Sequence, residues 1–166
     1  VEQPIVEEFA AQLAKKAASL PAGDPSKPDT VIGPLINDEA VRKVDTHVKD
    51  AVSKGAKLLA GGTYEGRVYR PTVLADVRKE MQVYSEETFG PVAPIIAVKD
   101  VKEALEVAND SMYGLSAGVV AQDLEKAIYL AEGLDAGMVH VNDASIDSDA
   151  SVPFGGVKAS VEGREG

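Results

Sequence analysis

Residues 92–142 read VAPIIAVKDVKEALEVANDSMYGLSAGVVAQDLEKAIYLAEGLDAGMVHVN, and their periodicity decides the fold class. Val92 to Val98 is nearly all apolar, as a strand covered on both faces should be. Asp100 and Glu103 form the two ends of a capping box for a helix over Val101 to Ala108. Leu115 to Ala121 is a second β run. Asp123 then caps a helix carrying Leu124, Ala127, Ile128 and Ala131, and Gly137 to Asn142 follows as a strand. Strand, helix, strand, helix, strand with short connections implies parallel pairing and right-handed crossovers. The class is α/β, a mostly parallel sheet with flanking helices.

Upstream the same alternation holds. Val6, Phe9, Leu13, Ala17 and Leu20 recur at three or four residues and give one buried helical stripe. Pro21, Gly23, Pro25 and Pro28 stop that helix and make an exposed connection. Asn37 can cap a second helix whose stripe is Val41, Val44, Val48 and Val52, with Gly55 as its stop. Lys57 to Ala60 reads as a short strand closed by Gly61-Gly62, and Tyr69 to Val77 as another extended segment. Residues 143–166 are rich in glycine and serine with little periodicity, so they either line a site or pack on further protein. The expected division is an α/β part over 1–142 and a loop and C-terminal segment over 143–166.

With 166 residues, 45% of them hydrophobic, the chain can bury a real core and is not disordered. Its apolar runs fall well short of the ~20 residues that span a bilayer. Glu2, Glu7 and Glu8 stand where a secretory leader would be basic. A net charge of -10 argues against nucleic-acid and anionic-membrane partners. Cysteine is absent, which removes a thiolate nucleophile from these residues and is compatible with a reducing cytoplasmic setting.

The chemistry-bearing residues are few. Of the two histidines, His47 falls off the main apolar positions of its helix and is expected in solvent, while His140 is mid-strand. A Ser145–His140–Asp143 triad can be drawn, but such close spacing at one strand end gives poor convergence. No zinc or calcium spacing occurs, and Asp147 with Asp149 reads as a hydrated pair. No phosphate-cradling glycine or lysine loop is present. Two clusters stand out. Glu86-Glu87-Thr88-Phe89-Gly90-Pro91-Val92 places carboxylates on a turn before a buried strand. A carboxylate suits the paired hydroxyls of a ribose, and Phe89 offers a flat face to a nicotinamide ring. The alternative is a solvated acidic turn with Phe89 in the core. In Val152-Pro153-Phe154-Gly155-Gly156-Val157-Lys158-Ala159-Ser160, followed by Gly163-Arg164-Glu165, the glycines and proline present Phe154 on an unusual backbone. A packed terminal loop is the alternative there.

Together these clusters resemble the aldehyde dehydrogenase superfamily, and the resemblance runs along the whole chain. Supporting stretches are Gly33-Pro34-Leu35-Ile36, Gly55-Ala56-Lys57-Leu58-Leu59, Arg70-Pro71-Thr72-Val73-Leu74, Ala108-Asn109-Asp110, Tyr113-Gly114-Leu115-Ser116-Ala117 and Ala136-Gly137-Met138-Val139-His140-Val141-Asn142. Such enzymes oxidise aldehydes to acids with NAD or NADP, through a cysteine thiolate and a glutamate-activated water. The matching segment here begins after the stretch that carries that cysteine, so the resemblance implies a C-terminal portion of the catalytic domain, inactive in isolation.

By motif position, Glu87 would hold the nicotinamide ribose, Phe89 would bound the nicotinamide pocket, and Lys43 would contact the cofactor. Phe154 would flank the aldehyde channel, with the loop from Asp143 to Ser151, Asp147 included, as its wall. Glu165 matches an acid implicated in a proton relay. The loop resembles in length that of vanillin- and salicylaldehyde-type enzymes, which usually carry histidine where Asp147 stands. Val161 replaces a usual glycine. The implied partners are a small-molecule aldehyde, the rest of a dehydrogenase chain and further copies in a homo-oligomer. A non-catalytic, self-associating or partner-binding α/β module is the alternative class.

Overall fold

Thr72–Ala75 is buried along its whole length, and the first half of the molecule is built around it. The computed structural model describes residues 1–146, 151–160 and 163–165. Two compact units, Val1–Val98 and Lys99–Gly166, divide the chain. The first contains α1 (Val6–Ser19), α2 (Asp38–Ser53), β1 (Lys57–Ala60), β2 (Tyr64–Glu65), β3 (Val68–Tyr69), β4 (Thr72–Ala75), α3 (Gln82–Ser85) and β5 (Val92–Pro94). The second contains α4 (Val101–Asn109), β6 (Tyr113–Gly114), β7 (Ser116–Val119), α5 (Leu124–Gly133), β8 (Met138–Val141), β9 (Phe154–Gly155), β10 (Val157–Lys158) and β11 (Arg164–Glu165).

In the first unit β4 lies between β1, to which it is antiparallel, and β5, to which it is parallel. Successive strand residues point to opposite faces. Leu74 therefore packs with Val41, Val44 and Val48 of α2, while Val73 packs with Ala10 and Ala17 of α1. That alternation makes helix, sheet and helix three layers. The extended stretch expected from Tyr69 to Val77 is broken at Pro71, which has no amide for a ladder, and β5 ends at Pro94.

One expectation is corrected on α2. His47 is 2% exposed, not solvated, and Val52 is outside the core. At about 100° per residue, the buried arc of Val41, Val44, His47, Val48 and Ala51 centres near Val44. That arc takes in His47 and Ala51 and leaves Val52 at its margin.

In the second unit β7 and β8 pair in parallel, with Gly118 opposite His140, and α5 connects them. Asn109 joins the ends of the two helices, donating to the Gly133 carbonyl at 2.8 Å and accepting from the Asp135 amide at 2.9 Å. The α/β class holds, with mixed sheets. The parallel pairs are β4–β5 and β7–β8, whereas the short pairs β2–β3, β10–β6 and β11–β9 are antiparallel. Pairing of β10 with β6 gathers the tail into this unit, so the packing boundary falls at Val98 and the functional division expected at residue 142 lies inside the unit. Among the described residues no helix is long and apolar enough to cross a membrane.

Candidate functional site

The acidic turn of the first unit is held by α2. Asp50 accepts the Gln82 amide at 2.9 Å and so starts α3, the helix that leads into the turn. The Lys54 ammonium, then the Gln82 amide, hold the Asp50 carboxyl below its ordinary range. One turn earlier, His47 Nδ1 lies 3.0 Å from Thr88 Oγ1 and Nε2 lies 3.4 Å from Glu86 Oε2. A further turn back, Val44 meets Gly90 so closely that a β-carbon on the glycine would sit 2.5 Å from Val44 Cγ2. The turn then enters the sheet, where the Thr72 amide donates to the Pro91 carbonyl at 2.8 Å and Val92 pairs with Thr72. Residues 44, 47 and 50, three apart on one helical face, hold successive parts of a single loop.

At the apex of that loop Phe89 is 78% exposed and its backbone is left-handed, with φ 52. The alternative that buried this ring in the core is therefore set aside. Glu87 is exposed beside it, and Lys43 is exposed on α2, one turn before His47. A bulky residue with positive φ carries strain that surrounding structure must enforce, a condition concentrated at functional sites. Carboxylate oxygens beside an exposed aromatic face match the hydroxyls and flat ring of a nicotinamide riboside. His47, Val44 and Asp50 escaped the sequence reading as supports. Their regular spacing was visible, but the residues they hold lie about forty positions further on.

In the second unit Phe154 is 42% exposed on β9, and the register places Glu165 of β11 opposite it. The backbone under Phe154 needs glycine: a β-carbon at Gly137 would sit 1.8 Å from the Gly155 carbonyl oxygen. Lys158, itself at φ 54, donates to the Asn109 carbonyl at 3.0 Å and lies 3.5 Å from the Asp135 carboxylate. These contacts fix residues 154–160 on β6 and on the end of α4. Asp147 and Val161 lie outside the described residues. The drawn triad is not assembled. His140 Nε2 is buried without a hydrogen-bond partner, Asp143 accepts the Ala144 amide, and Ser145 uses its carbonyl to accept from Ser116.

Comparison with known proteins shows the family. The model of the aldehyde dehydrogenase family matches residues 1–166. A benzaldehyde dehydrogenase [NAD(+)] of Pseudomonas putida is 44% identical over 163 residues, covering 98% of this chain and 34% of its own. The crystal structure of a salicylaldehyde dehydrogenase from Pseudomonas putida G7, complexed with salicylaldehyde, superposes with a TM-score of 0.95 at 38% identity over 99% of this chain and 34% of that one. An NADP-dependent glyceraldehyde-3-phosphate dehydrogenase from Bacillus halodurans C-125, complexed with NADP, gives a TM-score of 0.95 at 36% identity over 100% of this chain and 35% of that one. The chain thus spans about a third of the length of these relatives. Matched from end to end, the chain belongs to the aldehyde dehydrogenase family.

Proposed function

We propose that this chain supplies the cofactor-ribose turn and the substrate wall of an NAD- or NADP-dependent enzyme that oxidises an aldehyde to a carboxylic acid. The observation that carries the reading is the turn at 86–90, with Glu87 exposed beside a Phe89 ring that a strained backbone presents to solvent. Glu87 would accept hydrogen bonds from the ribose hydroxyls and Phe89 would bound the nicotinamide face. Lys43, on the helix that carries the anchors of the turn, would add a cation near the cofactor. When bound, NAD or NADP accepts the hydride removed from the aldehyde. By holding the ribose, the turn orients the ring that receives it, which is a positioning contribution to rate.

The second unit would provide the aldehyde's surroundings. Phe154 forms an aromatic wall, and Glu165, in register with it, is proposed as a proton-relay acid. Asp147 is proposed as a substrate-facing residue from its place in the sequence. Relatives named for benzaldehyde and salicylaldehyde stand beside equally similar ones named for glutarate and succinate semialdehydes, so the substrate is proposed as an aldehyde, with an aromatic one tested first. The test is spectrophotometric, with the full-length protein, NAD or NADP, and a panel of aromatic and aliphatic aldehydes. Reduced nicotinamide should accumulate only when aldehyde is present. The 166 residues alone, which contain no cysteine, should produce none. Absence of turnover by the full-length protein across the panel would defeat the reading.

A further inference from the structure

A buried imidazole lies beneath the strained apex of the acidic turn. His47 is 2% exposed, and its two nitrogens face Thr88 and Glu86, on the near side of Phe89. A buried polar side chain is costly unless its atoms are paired, so an imidazole in this core has to be matched by groups that reach it. The turn brings both. On the far side of Phe89, Gly90 rests on Val44, which is fully buried one helical turn before His47. Phe89 is thus held between two residues fixed to the same face of α2. Phe89 has a left-handed backbone between these two attachments, and such a conformation persists only where its surroundings over-determine it.

We propose that His47 is a positioning residue which, through Thr88 and Glu86, holds the turn in the shape that presents Glu87 and Phe89. The link to cofactor binding rests on the dehydrogenase reading above, whereas the brace itself rests on the geometry of the turn. His47 contributes no atom to the reaction. With the brace removed, the turn relaxes, Phe89 returns to negative φ and the carboxylate of Glu87 is no longer held in position.

The test uses the full-length protein with His47→Leu, Thr88→Val, both together, and His47→Asn, which keeps a polar atom near the position of Nδ1. Each single loss should weaken NAD or NADP binding about ten-fold while kcat changes much less, as expected for one hydrogen bond acting on binding. The double variant should be no weaker than His47→Leu alone, since that substitution already removes the contact that Thr88→Val removes. His47→Asn should recover most of the affinity, and crystals of Thr88→Val should show Phe89 outside the left-handed region. Thr88→Val replaces no core residue and leaves only the buried Nδ1 of His47 unpaired, so it decides the matter even if His47→Leu fails to fold. A folded variant that binds cofactor as the parent does, with Phe89 still left-handed, overturns the proposal. If the parent protein binds neither cofactor, the dehydrogenase reading fails and the Phe89 conformation in Thr88→Val alone judges the brace.

Discussion

At Phe89 the proposed cofactor contact and the stability of the fold can be measured separately. Its ring is largely outside the core, so Phe89→Ala should leave stability within about 0.5 kcal/mol, as surface substitutions do. Cofactor affinity should fall in the same variant, and thermal melts beside calorimetric titration would check both. Gly90 behaves in the opposite way. A methyl there would press on the buried, β-branched Val44, so Gly90→Ala should cost about 1–3 kcal/mol in denaturant unfolding. Tyr69 gives a pH prediction at the same scale. Burial first, then the nearby Asp45 carboxylate, push its phenol up to about 12 from 10.0. The folded state therefore favours the neutral phenol. Its stabilising contribution is complete below pH 10.0 and is lost as pH rises through about 12. Stability measured across that range should decline less steeply in Tyr69→Phe than in the parent.

At the scale of elements, the helices were legible because their starts are written locally. Asn37 accepts the Ala40 amide at 2.8 Å, Asp100 the Glu103 amide at 2.8 Å, and Asp123 the Glu125 amide at 3.0 Å. Asn37→Ala should cost about 1 kcal/mol, readable by denaturant unfolding, and should loosen the start of the helix that carries Lys43 and His47. The box at α4 is shifted by one residue, since Glu103 accepts the Lys99 amide rather than that of Asp100. Strand ends were less legible, because Pro71 and Pro94 interrupt runs that hydrophobicity alone would continue. The burial of His47 was hidden for another reason. Helical periodicity reports which face is apolar, but the partners that make an imidazole tolerable in the core come from a loop far along the sequence. The motif residues Glu87, Phe89 and Phe154 could be picked out from the sequence, whereas the left-handed backbone that aims Phe89 could not.

For the whole molecule, several apolar surfaces need covering. β1 is an edge strand with Leu58 and Leu59 exposed, and Ile36, Val120 and Ile146 are each more than four-fifths exposed. Unpaired edges and apolar patches favour association, so the 166 residues in isolation should form oligomers by light scattering during gel filtration, and a monomer peak would count against this. The central claim is that the turn at 86–90 holds the cofactor, and the Michaelis constant for NAD or NADP of full-length Glu87→Gln tests it most directly. The amide keeps size and one acceptor oxygen but loses the charge, so the constant should rise roughly ten-fold or more, with an unchanged melting temperature. A folded Glu87→Gln enzyme with the parent's Michaelis constant for both cofactors would contradict the account.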